Sequence, residues 1–521
     1  MLYLAFIFHM HQPYYKNLLT QEIQVPWVRL HGIKDYLDMV QMLEKYPAIH
    51  QTFNLVPSLL EQLEDYTSLT ARPREKFLEY SRKPAANLTA EDKQFILEKF
   101  FSIDRERVVA VHPRYYELFF KREAKSEYTT QDYLDLQVWF NLAWFDPYFR
   151  ENIPELHAMV AKGRFFTEDE KQALLNAQTR VLENVIPAYK RFIASKQVEV
   201  SISPFYHPIL PLLYSTNQGK EANSRAVLPA TEFAYPEDAD RQVREAMKYY
   251  QSRFDATPAG MWPSEESVCE QIVPLLIRNG IRWIVTDEAL LFKSLRRKVR
   301  DTGLLYQPHR LRRKEGELAV IFRDRNLSDL IGFTYHHWSA DDAVKDFLQH
   351  MDNTYRAFKD QDILLTIAMD GENAWEYFRN DGHEFLELLY ARLSEVSYIK
   401  CATISEYLQL HKARGNIRKL ASGSWIYGEF GKWIGNPYKN KAWEWLAEAR
   451  AALEELIAAG KEISPLAWKQ MMICEGSDWF WWYGEDPVGD FDVLFRMHLS
   501  NFYTLIGRPI PDYLNTPLTV S

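Results

Sequence analysis

"DILLTIAMDGE", residues 362–372, decides the fold. Ile363, Leu364, Leu365, Ile367 and Ala368 read as a buried strand, and the strand ends in Asp370 and Glu372, with Glu376 close behind beside Trp375 and Tyr377. A surface loop would scatter such charges among Gly, Ser and Lys. An apolar strand that ends in carboxylates is a site candidate, because the carboxyl ends of parallel strands are where α/β folds build their sites.

The same pattern recurs outward from this stretch: YLAFIFHMH (3–11), AIHQTFNL (48–55), VEVSIS (198–203), GMWPSE (260–265), IRWIVTDE (281–288), LAVIFRDR (318–325) and YIKCATISE (398–406). Amphipathic stretches such as 240–254 and 268–280 lie between them. Strand and helix in alternation predict an α/β fold with a parallel sheet, and a closed barrel best explains why His11, Glu265, Asp287 and Asp370 all fall at strand ends. Residues 58–195 break the rhythm with helices, opened by capping-box patterns at Thr89 to Asp92 and Thr167 to Glu170, and read as a helical insertion. After about residue 412 the rhythm stops, and AWEWLAEARAALEELIAAG (442–460) is helical. The expected organisation is a catalytic domain over 1–412 and a helical domain over 413–521 that contributes aromatics to the cleft.

Composition narrows the function. The 521-residue chain carries 62 basic and 71 acidic residues, a net charge of -9, without a Lys/Arg block, so nucleic acid is not expected as a partner. Cys269, Cys401 and Cys474 are too scattered for a disulfide framework or a CxxC metal site and read as buried thiols. MLYLAFIFHMHQP lacks a basic n-region and a cleavage site, which predicts a first strand, a cytoplasmic protein and no membrane span.

The chemistry is carried by carboxylates. Hydrolysis of a glycosidic bond needs one carboxyl to attack the anomeric carbon and another to protonate the leaving oxygen, and Glu265 or Glu266 with Asp370 or Glu372 supply both from different strands. His9, His11, His207, His336 and His337 can donate hydrogen bonds to sugar hydroxyls; the competing reading is a metal site, as in a deacetylase, but no HExxH spacing supports it. GSWIYGEFGKWIG (423–435) and EGSDWFWWYGED (475–486) concentrate Trp425, Trp433, Trp479, Trp481, Trp482 and Tyr483. Contiguous rings cannot all face one core, so some should line a groove, with Asp478 or Glu485 accepting hydroxyl protons.

Nine stretches taken in order resemble glycoside hydrolase family 57, and within it the amylopullulanase-like α-amylases: HMHQPYY (9–15), WVRLHGIKDY (27–36), SPFYHPILPLL (203–213), GMWPSEESV (260–268), FRDRNLSDLIGF (322–333), AMDGENAWEYF (368–378), GSWI (423–426), WIGN (433–436) and EGSDWFWWYG (475–484). The resemblance implies a distorted (β/α)7 barrel with a helical C-terminal domain, acting on α-1,4 and sometimes α-1,6 bonds of α-glucans or maltooligosaccharides with retention, and without metal or cofactor in its chemistry. It implies Glu265 as nucleophile and Asp370 as acid/base, His11 and His207 around a bound glucose, and Trp425 and Asp478 reaching in from the C-terminal domain. Gln12, Trp262, Glu372, Trp375, Trp433 and Trp479 are expected to complete the sugar-binding surface. A 4-α-glucanotransferase or branching enzyme would use the same residues. Two positions depart from the family pattern: Glu266 stands where Gly is common, and Asn436 where His is frequent.

Overall fold

The computed structural model describes residues 1–68, 73–485 and 489–518. Its main strands are β1 (Leu2–Met10), β2 (Gln51–Leu55), β3 (Val198–Ser201), β4 (Gly260–Met261), β5 (Trp283–Asp287), β6 (His309–Arg313), β7 (Gly316–Arg323) and β8 (Ile363–Asp370), with short β9 (Ile399–Cys401) and β10 (Gly415–Asn416). Every apolar run read from the sequence contributes one of these. The first sheet runs β8, β1, β2, β3, all parallel, and β9 pairs with the start of β1. The second runs β10, β6, β7, β5, β4. Its β6 is antiparallel to β7, a hairpin the sequence reading missed because HRLRR carries Arg where a buried run would carry aliphatics.

The sheets meet at two places. Ile202, just past β3, bridges Met261 of β4, and the amide of Asp324, just past β7, donates to the carbonyl of Thr366 in β8 at 2.8 Å. All nine residues of β1 are buried, and its register sets His9 directly beside Asp370 of β8. Parallel order brings the carboxyl ends of β1, β4, β5, β7 and β8 to one side of the molecule.

Between Pro57 and Ala194 the chain is mostly helical, and both capping boxes form: Thr89 and Asp92, and Thr167 and Glu170, exchange side-chain and backbone bonds at their helix starts. Buried Arg29 ties this region to the helix Trp27–Gly32, donating to Glu75 at 3.0 and 2.9 Å, to Asn141 at 3.0 Å and to Gln178 at 2.9 Å. The strand rhythm persists slightly beyond residue 412, since β10 pairs with β6 and Gly423 bridges Val268. From there the helices Pro437–Ala458, Pro465–Cys474, Asp478–Trp482 and Asp490–Leu505 follow. They are fastened by buried Arg450 to Asp238, at 2.5 and 3.2 Å, and by Gln242 to the carbonyl of Met472 and to Glu475. Asn436 caps the first of them by accepting from the amide of Tyr438 at 2.9 Å, which gives this departure from the family pattern a structural role. The three cysteines are buried and unpaired, and among the described residues no helix is long and apolar enough to cross a membrane.

Candidate active site

The segment after β4 turns sharply at Glu265 and Glu266, both in the left-handed region at φ 57° and 52°. Each such residue with a side chain costs about 1–3 kcal/mol, so surrounding bonds must hold the turn. The amide of Glu266 donates to the Pro263 carbonyl at 2.7 Å, that of Ser267 to Ser264 at 3.0 Å, and that of Trp425 to Glu265 at 3.2 Å. The turn sends neighbouring side chains apart. Glu265 borders a cavity of about 710 Å³, within the usual range for small-molecule sites. Glu266 is fully buried behind it, 4.0 Å from Arg323 Nε, and neither carboxyl oxygen has a hydrogen-bond partner among the described residues.

Asp370 enters the cavity from the end of β8. Gly371 lets the chain pass close over β1: a Cβ there would lie 2.4 Å from Met10 Sδ, and its amide donates to the His9 carbonyl at 2.7 Å. Glu372 anchors the loop, accepting from Tyr36 Oη at 2.5 Å and from the His11 amide at 3.1 Å.

Burial and the negative charges of Asp370 and Asp478 push Glu265 up to about 8, partly offset by the Trp425 indole N–H, which donates to Glu265 Oε2 at 2.8 Å. Burial pushes Asp370 up to about 6, while Asn373, Arg323 and His11 pull it down. The pair therefore carries one proton near neutral pH. Of the two, Glu265 holds its proton to the higher pH, whereas the acid/base role implied for Asp370 calls for the proton there. The reversal has a physical cause: Asp370 has cationic neighbours and Glu265 has anionic ones.

Behind this pair the imidazoles and an indole form a stack. Trp262 lies on His9 with ring centres 4.8 Å apart, His9 on His207 at 5.0 Å, and His207 on His11 at 3.9 Å. His11 Nε2 pairs with Asp478 at 2.9 Å, His207 Nδ1 with Ser477 Oγ at 3.0 Å, and His9 Nδ1 with Asn54 Oδ1 at 2.6 Å. Burial holds His9 down at about 3 and His207 well below its usual value, so both are neutral. His11, His207 and Asp478 are close enough to share a cation, yet near-parallel rings 3.9 Å apart aim their lone pairs along separate planes, and ring rotation would be needed for both to meet one ion.

Of the expected residues, Glu265, Asp370, His11, Gln12, Glu372, Trp425, Trp433 and Asp478 line the cavity. His207, Trp262, Trp375 and Trp479 do not. They are buried behind its wall: Trp262 and His207 in the ring stack, Trp375 against Phe8 and Phe378, and Trp479 against His498 and Phe495. WFWWY divides as contiguous rings must. Trp479, Phe480 and Tyr483 are buried, while Trp481 and Trp482 face the cavity. Glu485 pairs with Lys432 and Lys439 instead of lining it. Glu376, expected beside the strand end, lines the cavity too, and it belongs to a charged arm whose other members, His31, Lys34, Asp104 and Asp381, are not singled out by the sequence. His31 and Lys34 belong to WVRLHGIKDY, one of the stretches that carry the family resemblance, whereas nothing in the sequence around Asp104 signals a site.

Two carboxyls that follow different parallel strands and face one cavity walled by indoles and imidazoles are the arrangement that hydrolysis of a glycosidic bond calls for. The pattern of glycosyl hydrolase family 57 matches residues 5–419, and the chain belongs to that family. It is 26% identical over 266 residues to Alpha-amylase 1 of Dictyoglomus thermophilum, covering 50% of this chain and 32% of that protein, so the match spans about a third of the relative's length. In fold it is similar to a branching enzyme of Pyrococcus horikoshii (TM-score 0.64, 16% identity, 96% of this chain and 89% of that one) and to an alpha-amylase of Thermotoga maritima (TM-score 0.62, 14% identity, 98% and 95%).

Proposed function

We propose that the chain is a retaining α-glucan hydrolase that cleaves α-1,4 bonds, and α-1,6 bonds where the cleft admits a branch, in starch- or glycogen-type glucans and maltooligosaccharides. The observation that carries this reading is the one-proton pair, Glu265 and Asp370, facing one cavity. In the first step a Glu265 oxygen bonds to the anomeric carbon as the glycosidic C–O bond breaks, and Asp370 gives its proton to the departing oxygen. Asp370 then takes a proton from water, whose oxygen displaces Glu265 from the opposite face and restores the configuration. The proton that rests on Glu265 in the free enzyme must stand on Asp370 when sugar is bound. A glycosidic oxygen beside Asp370 favours that arrangement, since only the protonated acid can donate to it, and Trp425 Nε1 stabilises ionised Glu265. Neutral His9, the His11–Asp478 pair and Gln12 offer hydrogen bonds to hydroxyls, and Trp425, Trp433, Trp481 and Trp482 offer ring faces.

On this reading the two sheets are halves of one distorted seven-strand ring, β1, β2, β3, β4, β5, β7 and β8, pinned at Ile202–Met261 and Asp324–Thr366. We assign residues 1–412 to the catalytic domain and 413–521 to a helical domain that closes the cleft. Likeness to the Pyrococcus branching enzyme supports a second reading, transfer of the glucosyl group to a sugar hydroxyl in place of water. Product profiles from amylose and pullulan separate the two. New reducing ends are expected; redistributed chains at constant reducing ends would overturn hydrolysis in favour of transfer.

A further inference from the structure

Apart from the carboxylate pair, Asp38, Asp146 and His383 bring two carboxyls and an imidazole together, with their donor atoms within 4.8 Å of one another. They come from distant parts of the chain: the start of the helix Asp38–Met42, the residue capping the helix Pro147–Asn152, and the first residue of the helix His383–Glu395. His383 Nε2 lies 2.8 and 3.0 Å from the two oxygens of Asp146 and 3.9 Å from Asp38 Oδ2. Asp38 is 6% exposed, and its Oδ1 is buried without a hydrogen-bond partner among the described residues. The neighbouring cation does not serve it, for Lys34 is taken by Asp381 at 2.6 Å and Asp35 at 3.3 Å, and His31 pairs with Asp35 at 2.7 Å.

We propose that Asp38, Asp146 and His383 hold a divalent transition-metal ion of the zinc class. One imidazole with two carboxylates suits zinc, whereas calcium and magnesium prefer shells of oxygen alone. Tetrahedral bonds of about 2.1 Å set donor atoms roughly 3.4 Å apart. The separations of 2.8 to 3.9 Å around His383 Nε2 bracket that value. The His383 side chain is 16% exposed, which leaves a way in from solvent. Unlike His11 and His207, which stack on each other, His383 already points its Nε2 at both carboxylates.

The ion has a structural task. Asn380, Asp381 and Gly382, immediately before His383, are all left-handed, at φ 47°, 51° and 77°. Binding His383 to Asp146 and Asp38 would fasten this strained run to the helical region and fix Asp381 and Lys34 in the cavity wall. The proposal is independent of which bond the enzyme cleaves.

The test uses the full chain, stripped with a chelator and titrated with Zn2+ by calorimetry, with metal counted by mass spectrometry and Ca2+ in parallel. One Zn2+ per chain is expected, with an unfolding temperature that climbs with zinc concentration and little response to calcium. Asp38→Asn and His383→Gln should each weaken zinc binding at least about tenfold, with folding checked by circular dichroism, and His207→Gln should leave it unchanged. Failure of zinc to bind saturably, binding that survives both His383→Gln and Asp38→Asn, or binding abolished by His207→Gln would each overturn the proposal.

Discussion

At the scale of single residues, the site turns on where one proton sits. Asp370→Asn cannot protonate a departing sugar, so on a glucan it should cost several orders of magnitude in rate, and far less on an activated glucosyl fluoride that leaves without help. Equal losses on the two substrates would show that Asp370 is not the acid. The pair should give kcat/KM a bell-shaped pH profile, with limbs near the values of about 6 and about 8 carried by Asp370 and Glu265. Trp425→Phe removes an N–H that favours ionised Glu265, so turnover should fall and the alkaline limb should move to higher pH. An unmoved limb would detach Trp425 from the titration of Glu265. Glu265 and Asp370 were legible in the sequence because carboxylates that end apolar runs are conspicuous. Trp262, Trp375 and Trp479 were misread, since an indole beside a catalytic motif looks the same in sequence whether it faces sugar or supports the wall. Asp104 and Asp381 were illegible because one lies in the helical insertion and the other in a left-handed turn, and His31, on the helix Trp27–Gly32, and Lys34, just past it, carry no local sign of which side faces the cavity.

At the scale of elements, strands buried on both faces announced themselves as apolar runs, and helices through their capping boxes and amphipathic spacing. β6 escaped because its role is pairing beside β7, with Arg310, Arg312 and Arg313 turned at least partly to solvent. The element that leads into Glu265 is short. β4 holds two residues, and it sits against β5 so closely that a Cβ on Gly260 would lie 1.9 Å from the Trp283 ring. Trp283 is itself anchored by Glu199 at 3.1 Å and Ser405 at 3.3 Å, so it cannot readily give way. Gly260→Ala should therefore lower stability by about 1–3 kcal/mol or more, read as a drop in unfolding temperature, and should cut kcat by displacing Glu265. A variant as stable and active as the parent would mean that the strand tolerates a shift the packing forbids.

At the scale of the whole molecule, buried acids set the pH at which the fold is most secure. Burial raises Glu265 to about 8 and raises Glu266, Glu372 and Glu475 well above the ordinary 4.5, so the folded chain prefers them protonated. Their contribution is whole below the unfolded value and is lost as pH climbs through the folded ones, for Glu265 between 4.5 and about 8. Capping acids such as Asp92, Glu170 and Glu406 are shifted downward and act in the opposite sense, losing their contribution in acid. Unfolding temperature should therefore fall from about pH 6 to pH 9, and Glu266→Gln, which fixes that buried side chain neutral, should flatten the fall. A variant less stable than the parent at pH 8 would show that Glu266 is ionised against Arg323. The same molecule-wide wiring has a consequence for how the protein is made. Glu265 and the indole that clamps it are 160 residues apart, and the family pattern ends at residue 419, before Trp425 and Asp478. During translation Glu265 leaves the ribosome long before the groups that complete its surroundings, so on the proposed function a nascent chain should gain activity only after Trp425 and Asp478 have emerged and folded against it.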